Sequence, residues 1–231
     1  MEQQRTGWGK VAIALRSSQY DPIFFLSWTR LITTGTEKDD RILYPAFRVP
    51  HSIACNYLLG QFLDSDADSI LFVDDDHDVP EDTLRKLRET PVEFDGVGAM
   101  YTTRRAPFGP LVLVDNDKRD GYVGVRNPSG VVQVDALGLG FTMFSRRIVE
   151  AVVTMRGTRE PFTFATFGED GQFCRDIKAC GGKLAVNCDA PIGHTTTVSL
   201  WWNSNEHKTE MRFASHGMGA SVKETVAMEG D

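Results

Sequence analysis

"SILFVDDDHDVPEDTL", residues 69 to 84, sets a run of apolar residues directly against four aspartates and a histidine. The apolar run has the length and bounds of a buried strand. "PEDTLRKLRE", 80 to 89, continues as a helix, with Pro80 in its first turn and Glu81 and Asp82 where the helix dipole favours negative charge. Strand, acidic loop, helix is the unit from which α/β domains are built. Strand alternation carried through the loop predicts Asp74, Asp76 and Asp78 on one side and Asp75 and His77 on the other. Carboxylates that close repel one another, and a divalent cation taking oxygen ligands relieves the repulsion.

Outward from this stretch the unit repeats. "VAIAL", 11 to 15, reads as a first strand ending at the polar turn Arg16-Ser17-Ser18. Between Ser52 and Leu63, Ile53, Tyr57, Leu58 and Phe62 recur at helical spacing after Pro50. "DGVGAMY", 95 to 101, reads as a third strand. Residues 102 to 131 are rich in Gly, Pro, Asp and Arg and hold only "LVLV", 111 to 114, as a strand. "VVQVDAL" and "FTMFS" follow as strands about a "GLG" break, then "RRIVEAVVTM" as an amphipathic helix. "GEDGQFCRDIKACGG" is a further helix with a glycine stop, and "KLAVNC" a last strand. This order predicts a single three-layer α/β/α, Rossmann-like domain over 10–202, with a polar extension at 1–9 and a lid or tail at 203–231. In such open sheets the site lies beyond the C-terminal ends of the strands.

Composition narrows the function. With 41% hydrophobic and 25% charged residues in 231, the chain can build an ordinary core. A net charge of -7 argues against a surface devoted to coating nucleic acid. No apolar run approaches a membrane span, no signal peptide is evident, and four cysteines without CxxC spacing read as reduced thiols, so the expected compartment is the cytoplasm. Cys174, Cys180, Cys188 and His194 are spaced too loosely for a zinc site. An EF-hand beginning at Asp74 would need Gly at its sixth position and Glu at its twelfth, where Val79 and Arg85 stand. An aspartyl-phosphate phosphatase would place its acidic motif after the first strand rather than the second. A solvated turn capping the next helix accounts for Asp78 but not for four acids together.

The spacing of Asp74, Asp76 and Pro80 after an apolar strand resembles the metal and nucleotide-sugar loop of GT-A glycosyltransferases, in particular their family-2-like group. "VDALGLGFTMFSRRIVEAV", 134 to 152, is similar to the glycine-containing segment that those enzymes place under the sugar and acceptor. "FGEDGQFCRDIKACGGKLAV", 167 to 186, resembles their acidic pair at a helix start, and "PIGHTTT", 191 to 197, their late metal-binding histidine. In the lead-in to the acidic strand, Asn56 stands where many members carry arginine-asparagine, with Cys55 in place of the arginine. The resemblance extends over roughly residues 10 to 200, and some members of phage type act on hydroxylated DNA bases.

The resemblance implies a nucleotide-diphospho-sugar transferase that moves a sugar from a nucleoside-diphosphate sugar, a UDP-sugar, to a hydroxyl acceptor. A glycan or small molecule is favoured as acceptor, with a modified DNA base as another class. It implies manganese or magnesium, with Asp74, Asp76 and His194 as ligands. It places Arg16, Ser17, Asn56, Asp74, Asp75, Arg104, Gly138 and Gly140 on the nucleotide sugar, Asp170 as the base with Glu169 beside it, and Trp201 and Trp202 at an acceptor site or lid. Arg105 is an alternative to Arg104 as a forked phosphate donor. His77 and Asp78 are expected as supporting residues or a helix cap. Competing readings are a sugar nucleotidyltransferase, which would want a glycine-rich loop after the first strand, and a non-catalytic nucleotide-sugar-binding domain.

Overall fold

The computed structural model describes residues 7–17, 21–104, 108–116, 121–164, 168–195, 198–203, 208–213 and 223–224, with side chains described through 195. An eight-stranded sheet forms the centre. In chain order the elements begin with β1 (Val11–Ser17), α1 (Pro22–Arg30) and a π-helical turn (Leu31–Gly35), then β2 (Arg41–Ile42), β3 (Ala46–Phe47) and α2 (His51–Leu63). β4 (Ser69–Asp74), β5 (His77–Asp78), α3 (Thr83–Arg88), β6 (Gly96–Met100), β7 (Leu113–Asp115) and β8 (Tyr122–Gly124) follow. The chain continues through β9 (Val131–Val134), β10 (Phe141–Ser145), α4 (Arg146–Arg156), α5 (Gly168–Ala179), β11 (Leu184–Pro191), β12 (Gly193–His194), β13 (Val198–Asn203), β14 (Lys208–Phe213) and β15 (Lys223–Glu224).

The strand order is β2-β1-β4-β10-β6-β11-β9, with β3 also on β1. β1 runs parallel to β2, β3 and β4, and β6 parallel to β11, while β10 lies antiparallel between β4 and β6. Alternate residues of the central strands feed two separate cores. Ala12, Ala14, Ile70, Phe72 and Phe144 face α2, α4 and α5, meeting Leu58, Phe62, Ile148, Val152, Phe173 and Ile177. Val11, Ile13, Leu15, Leu71, Val73 and Met143 face the other way, onto Phe24 and Leu31 after β1 and onto Leu84 and Leu87 of α3. This is the expected α/β/α sandwich. Phe72 and Phe144 meet edge to face at 6.3 Å and are fully buried, so truncating either to alanine would cost about 3–5 kcal/mol.

Several local expectations shift. α1 was not foreseen, although Asp21-Pro22 is a strong start: the Asp21 carboxylate accepts from the backbone N–H groups of Ile23 and Phe24, and Pro22 needs no such partner. α3 begins at Thr83 rather than Pro80, because residues 81 and 82 form a turn first. α2 buries Ala54, Cys55, Leu58, Leu59 and Phe62, leaving Ile53 and Tyr57 exposed. Within the expected polar extension, the Trp8 ring is buried and its Nε1 donates to the Thr90 carbonyl at 3.0 Å, a partner that a buried indole requires. Within the expected tail, β14 and β15 join β13 in a three-stranded antiparallel sheet. Among the described residues no helix is long and apolar enough to cross a membrane.

Candidate active site

The sheet topology gathers distant segments at one edge. β1 and β4 are parallel and in register, so Arg16 ends opposite Asp74. β10 is antiparallel to β4, with Phe141 opposite Val73, so the residues preceding it, Gly138 to Gly140, arrive at that same edge. The Asp74 N–H donates to the Gly140 carbonyl at 2.8 Å and locks the two together. The end of β6 delivers Tyr101 and, just beyond it, Arg104, while the first turn of α5 delivers Glu169 and Asp170. The two-residue ladder of β5 with β12 sets His194 opposite His77. These side chains line a cleft of about 380 Å³, whose other wall includes Ala46, Val49, His51 and Ala54.

The acids of the loop do not share one side. Residues 75 and 76 form a turn, which ends the strand alternation, and each carboxylate finds its own partner. Asp74 receives both arms of the Arg16 guanidinium, at 2.6 and 2.8 Å, a charge-assisted fork beside the Cys55 thiol, which is 3.0 Å from Arg16 Nη1. Burial, partly offset by Arg16, pushes the Cys55 thiol up to about 12, so it stays protonated. Asp75 accepts from the Ser17 hydroxyl at 3.0 Å, and Asp78 accepts from Ser27 at 2.6 Å, tying the loop to α1 rather than capping α3.

Asp76 is the centre of the loop. Its Oδ2 is 2.8 Å from Arg104 Nη1 and 3.6 Å from His194 Nε2, and its Oδ1 is 2.9 Å from His77 Nδ1. Burial opposes ionisation here, but His194, His77 and the Arg104 charge outweigh it and hold the carboxyl well below the usual range. The two imidazoles stack with ring centres 4.6 Å apart and planes 11° from parallel, and Tyr101 packs edge-on against both. His194 Nδ1 donates to the Thr102 carbonyl at 2.7 Å, which fixes the ring and leaves Nε2 as its atom nearest Asp76.

These residues fit a divalent cation. Asp76, His77 and His194 each offer a ligand atom, all within 4.8 Å of one another. Two ligand atoms each ~2.1 Å from one ion stand roughly 3.0–3.4 Å apart at octahedral or tetrahedral angles, close to the spacings around Asp76. Asp76 Oδ1, His77 Nδ1 and His77 Nε2 are buried without a hydrogen-bond partner, the Asp76–His77 approach being short but badly angled. Orphaned polar atoms at this depth are costly, and a cation held by Asp76 and one nitrogen of His77 would relieve part of that cost. The grouped atoms belong to Asp76, His77 and His194, where the expectation was Asp74, Asp76 and His194; each Asp74 oxygen accepts from Arg16.

Asp170 lies elsewhere in the same cleft. Its Oδ2 accepts from the Leu139 N–H at 3.2 Å, and its Oδ1 has no hydrogen-bond partner and lies 4.0 Å from Arg16 Nη1. Burial pushes its acid up to about 6, Arg16 offsetting this in part while Asp74 and Glu169 add to it. Glu169 is largely covered, with Oε1 3.6 Å from His51 Nδ1. Gly138 and Gly140 are glycines because their neighbours leave no room. A Cβ on Gly140 would come within 2.4 Å of His77 Cε1, and one on Gly138 within 2.3 Å of the Tyr101 hydroxyl.

The remaining expected residues are placed as follows. Arg16, Ser17, Asp74, Asp75, Arg104, Gly138, Gly140 and Asp170 line the cleft. Asn56 does not: its amide clamps the backbone of Phe162, donating to the carbonyl at 2.9 Å and accepting from the N–H at 3.0 Å. Arg105 lies outside the described residues, and Trp201 and Trp202 fall in β13 with side chains outside them. Tyr101 was not expected in the cleft, and His77, expected only as a supporting residue or cap, lines it directly. The adjacency of His77 to Asp76 was a usable signal once the loop is allowed to turn; nothing local marked Tyr101.

No protein-family model matches the sequence, and no curated protein matches it. Solved structures do. The chain superposes on the crystal structure of A197 from STIV with a TM-score of 0.56 at 17% identity, covering 93% of this chain and 98% of that one. GalNAc-T7, solved with UDP, GalNAc and Mn2+, matches 82% of this chain with a TM-score of 0.55 at 9% identity. The alignment spans 44% of the GalNAc-T7 chain. At these identities the likeness concerns the fold alone.

Proposed function

We propose that this chain is a metal-dependent glycosyltransferase that moves a sugar from a UDP-sugar to a hydroxyl acceptor. The observation that carries the reading is the cluster of buried Asp76 and His77 with half-buried His194, whose Asp76 and His77 atoms lack partners, in the same cleft as a carboxylic acid raised towards neutrality. A bound divalent cation would supply Lewis-acid neutralisation of the charge that builds on the departing diphosphate. The two imidazole ligands favour manganese over magnesium, which prefers oxygen.

The protein's own groups divide the remaining work. Arg104, about two-fifths exposed and already at Asp76, can turn its guanidinium onto a phosphate. Ser17 and Asp75, hydrogen-bonded to each other at the cleft wall, offer a donor and acceptors to the nucleoside. Arg16 fixes Asp74 and, through its charge, restrains Asp170 from staying protonated. Asp170 takes the proton of the acceptor hydroxyl, a role suited to an acid whose affinity for a proton lies near neutral pH. Glu169 raises that affinity further. Trp201 and Trp202, in the strand that follows His194 in sequence, are assigned to the acceptor side.

The test is release of UDP from a panel of UDP-sugars with manganese, with and without chelator, using wild type, Asp76→Ala and Asp170→Asn. Metal-dependent release that is lost in Asp76→Ala is expected. Failure of every UDP-sugar to bind or react would remove the reading.

A further inference from the structure

Two arginines line the cleft, and they are held in opposite ways. The Arg16 side chain is 6% exposed and its fork spans both oxygens of Asp74, so it has nowhere to go. The Arg104 side chain is 43% exposed and, among the described residues, its ion-pair partner is Asp76, with Nη1 2.8 Å from Oδ2. That oxygen is also the one that faces His194 Nε2, at 3.6 Å. The backbone beneath Arg104 is anchored: the Thr102 carbonyl accepts from His194 Nδ1 at 2.7 Å, and the Thr103 N–H donates to the Gly109 carbonyl at 3.0 Å. The guanidinium can therefore swing from a fixed base.

A divalent cation bound between Asp76 Oδ2 and His194 Nε2 would lie ~2.1 Å from that oxygen and so within about 5 Å of Arg104 Nη1. The Asp76 side chain is 12% exposed, so water screens little of the repulsion between the two positive charges. One carboxylate serves both poorly. A diphosphate changes the balance, because its several anionic oxygens take a divalent cation and an arginine fork at the same time. Resting on the function proposed above, we infer that Arg104 competes with the cation for Asp76 and gives up the carboxylate when a nucleoside diphosphate arrives, so that cation and donor load together. The cation alone then binds weakly, and the donor's phosphates draw the guanidinium away and free the site. By linkage the cation tightens the donor by the same factor. Arg104 acts on the cation through Asp76, as a positioning residue.

The test is calorimetry of manganese binding to the full chain, alone, with saturating UDP and with saturating uridine, corrected for manganese held by free UDP. The proteins are wild type, Arg104→Gln, Arg104→Lys and Arg85→Gln. Arg85, an exposed residue of α3 outside the cleft lining, controls for the loss of one positive charge. For manganese alone, Arg104→Gln should bind roughly 5–20-fold more tightly than wild type, while Arg85→Gln should match it. Arg104→Lys, which keeps a charge at Asp76, should restore weak binding to within about threefold of wild type. UDP should tighten manganese in wild type by a factor at least about fivefold greater than in Arg104→Gln, and uridine, which has no phosphate, should change it in neither. The inference is overturned if Arg104→Gln binds manganese no more tightly than wild type, or if the UDP effect is equal in the two. Tightening in Arg104→Lys or Arg85→Gln as large as in Arg104→Gln also overturns it. UDP that binds none of the proteins removes the donor reading, and the comparison with manganese alone still decides whether Arg104 competes for Asp76.

Discussion

Replacing Asp170 with asparagine should stabilise the protein while abolishing transfer, and the gain should depend on pH. The Asp170 acid is pushed from 3.8 to about 6 in the folded chain, chiefly by burial. A shift of that size corresponds to about 3 kcal/mol of penalty on the ionised form. About a third of the side chain remains open to the cleft, and solvent screening reduces the figure to roughly 1–2 kcal/mol. The folded-state value lies above the unfolded one, so the penalty is absent below about pH 4, grows between pH 4 and 6, and is complete above pH 6. Asparagine removes it, and its own oxygen can still accept from the Leu139 N–H. Thermal melts in chelator, at intervals from pH 4.5 to 8, should show the variant gaining on the wild type and levelling off roughly 2–6 °C higher. A difference that does not change with pH, or a variant less stable than wild type at pH 8, refutes a buried and disfavoured carboxylate.

Other perturbations separate the parts of the site. Manganese at a hundredfold excess over its Kd should stabilise the wild type by about 2.7 kcal/mol, and Asp76→Ala should remove that gain in differential scanning fluorimetry. Gly140→Ala, whose new Cβ would press on His77 at 2.4 Å, should weaken manganese binding roughly 10–100-fold by titration calorimetry while leaving the protein folded. Arg16→Ala leaves Asp74 unpaired in a largely buried fork and should cost about 3 kcal/mol in urea unfolding; Arg16→Lys, which keeps the charge but loses the fork, should cost less.

The central strands were legible because their residues are apolar throughout and bounded by polar turns, as for β4 before Asp74 and β10 before Arg146. Motif order pointed to Asp76 and His194, which the fold brings within reach of one another across 118 positions. It did not indicate the orientation of the acidic loop, because Arg16 and Ser17 draw Asp74 and Asp75 towards β1 and the chain turns to satisfy them. That turn is a long-range effect of residues 58 positions away, invisible to alternation counted within the loop. The buried face of α2 was ambiguous for a different reason: Ile53, Ala54, Cys55, Tyr57, Leu58 and Leu59 leave almost no polar side to orient it. α1 escaped notice because Ile23, Phe25 and Leu26 are exposed, so its apolar pattern points to no single face. Tyr101 acts by filling the space that Gly138 and Gly140 vacate, a relation that exists only once β6 and β10 are side by side.

His194 reaches the cluster through a ladder only two residues long, and the chain just beyond is fastened as well: the Thr195 N–H donates to the Asp76 carbonyl at 2.8 Å and its hydroxyl bonds the Asp21 carboxylate at 3.0 Å. Side chains reverse direction at every residue of a strand. Adding or deleting a single residue between Pro191 and His194 would therefore aim the imidazole away from Asp76, however neutral the inserted side chain. A segment whose composition reads as a tolerant loop is in fact fixed in length, and variation in chain length should be confined to positions after Thr195.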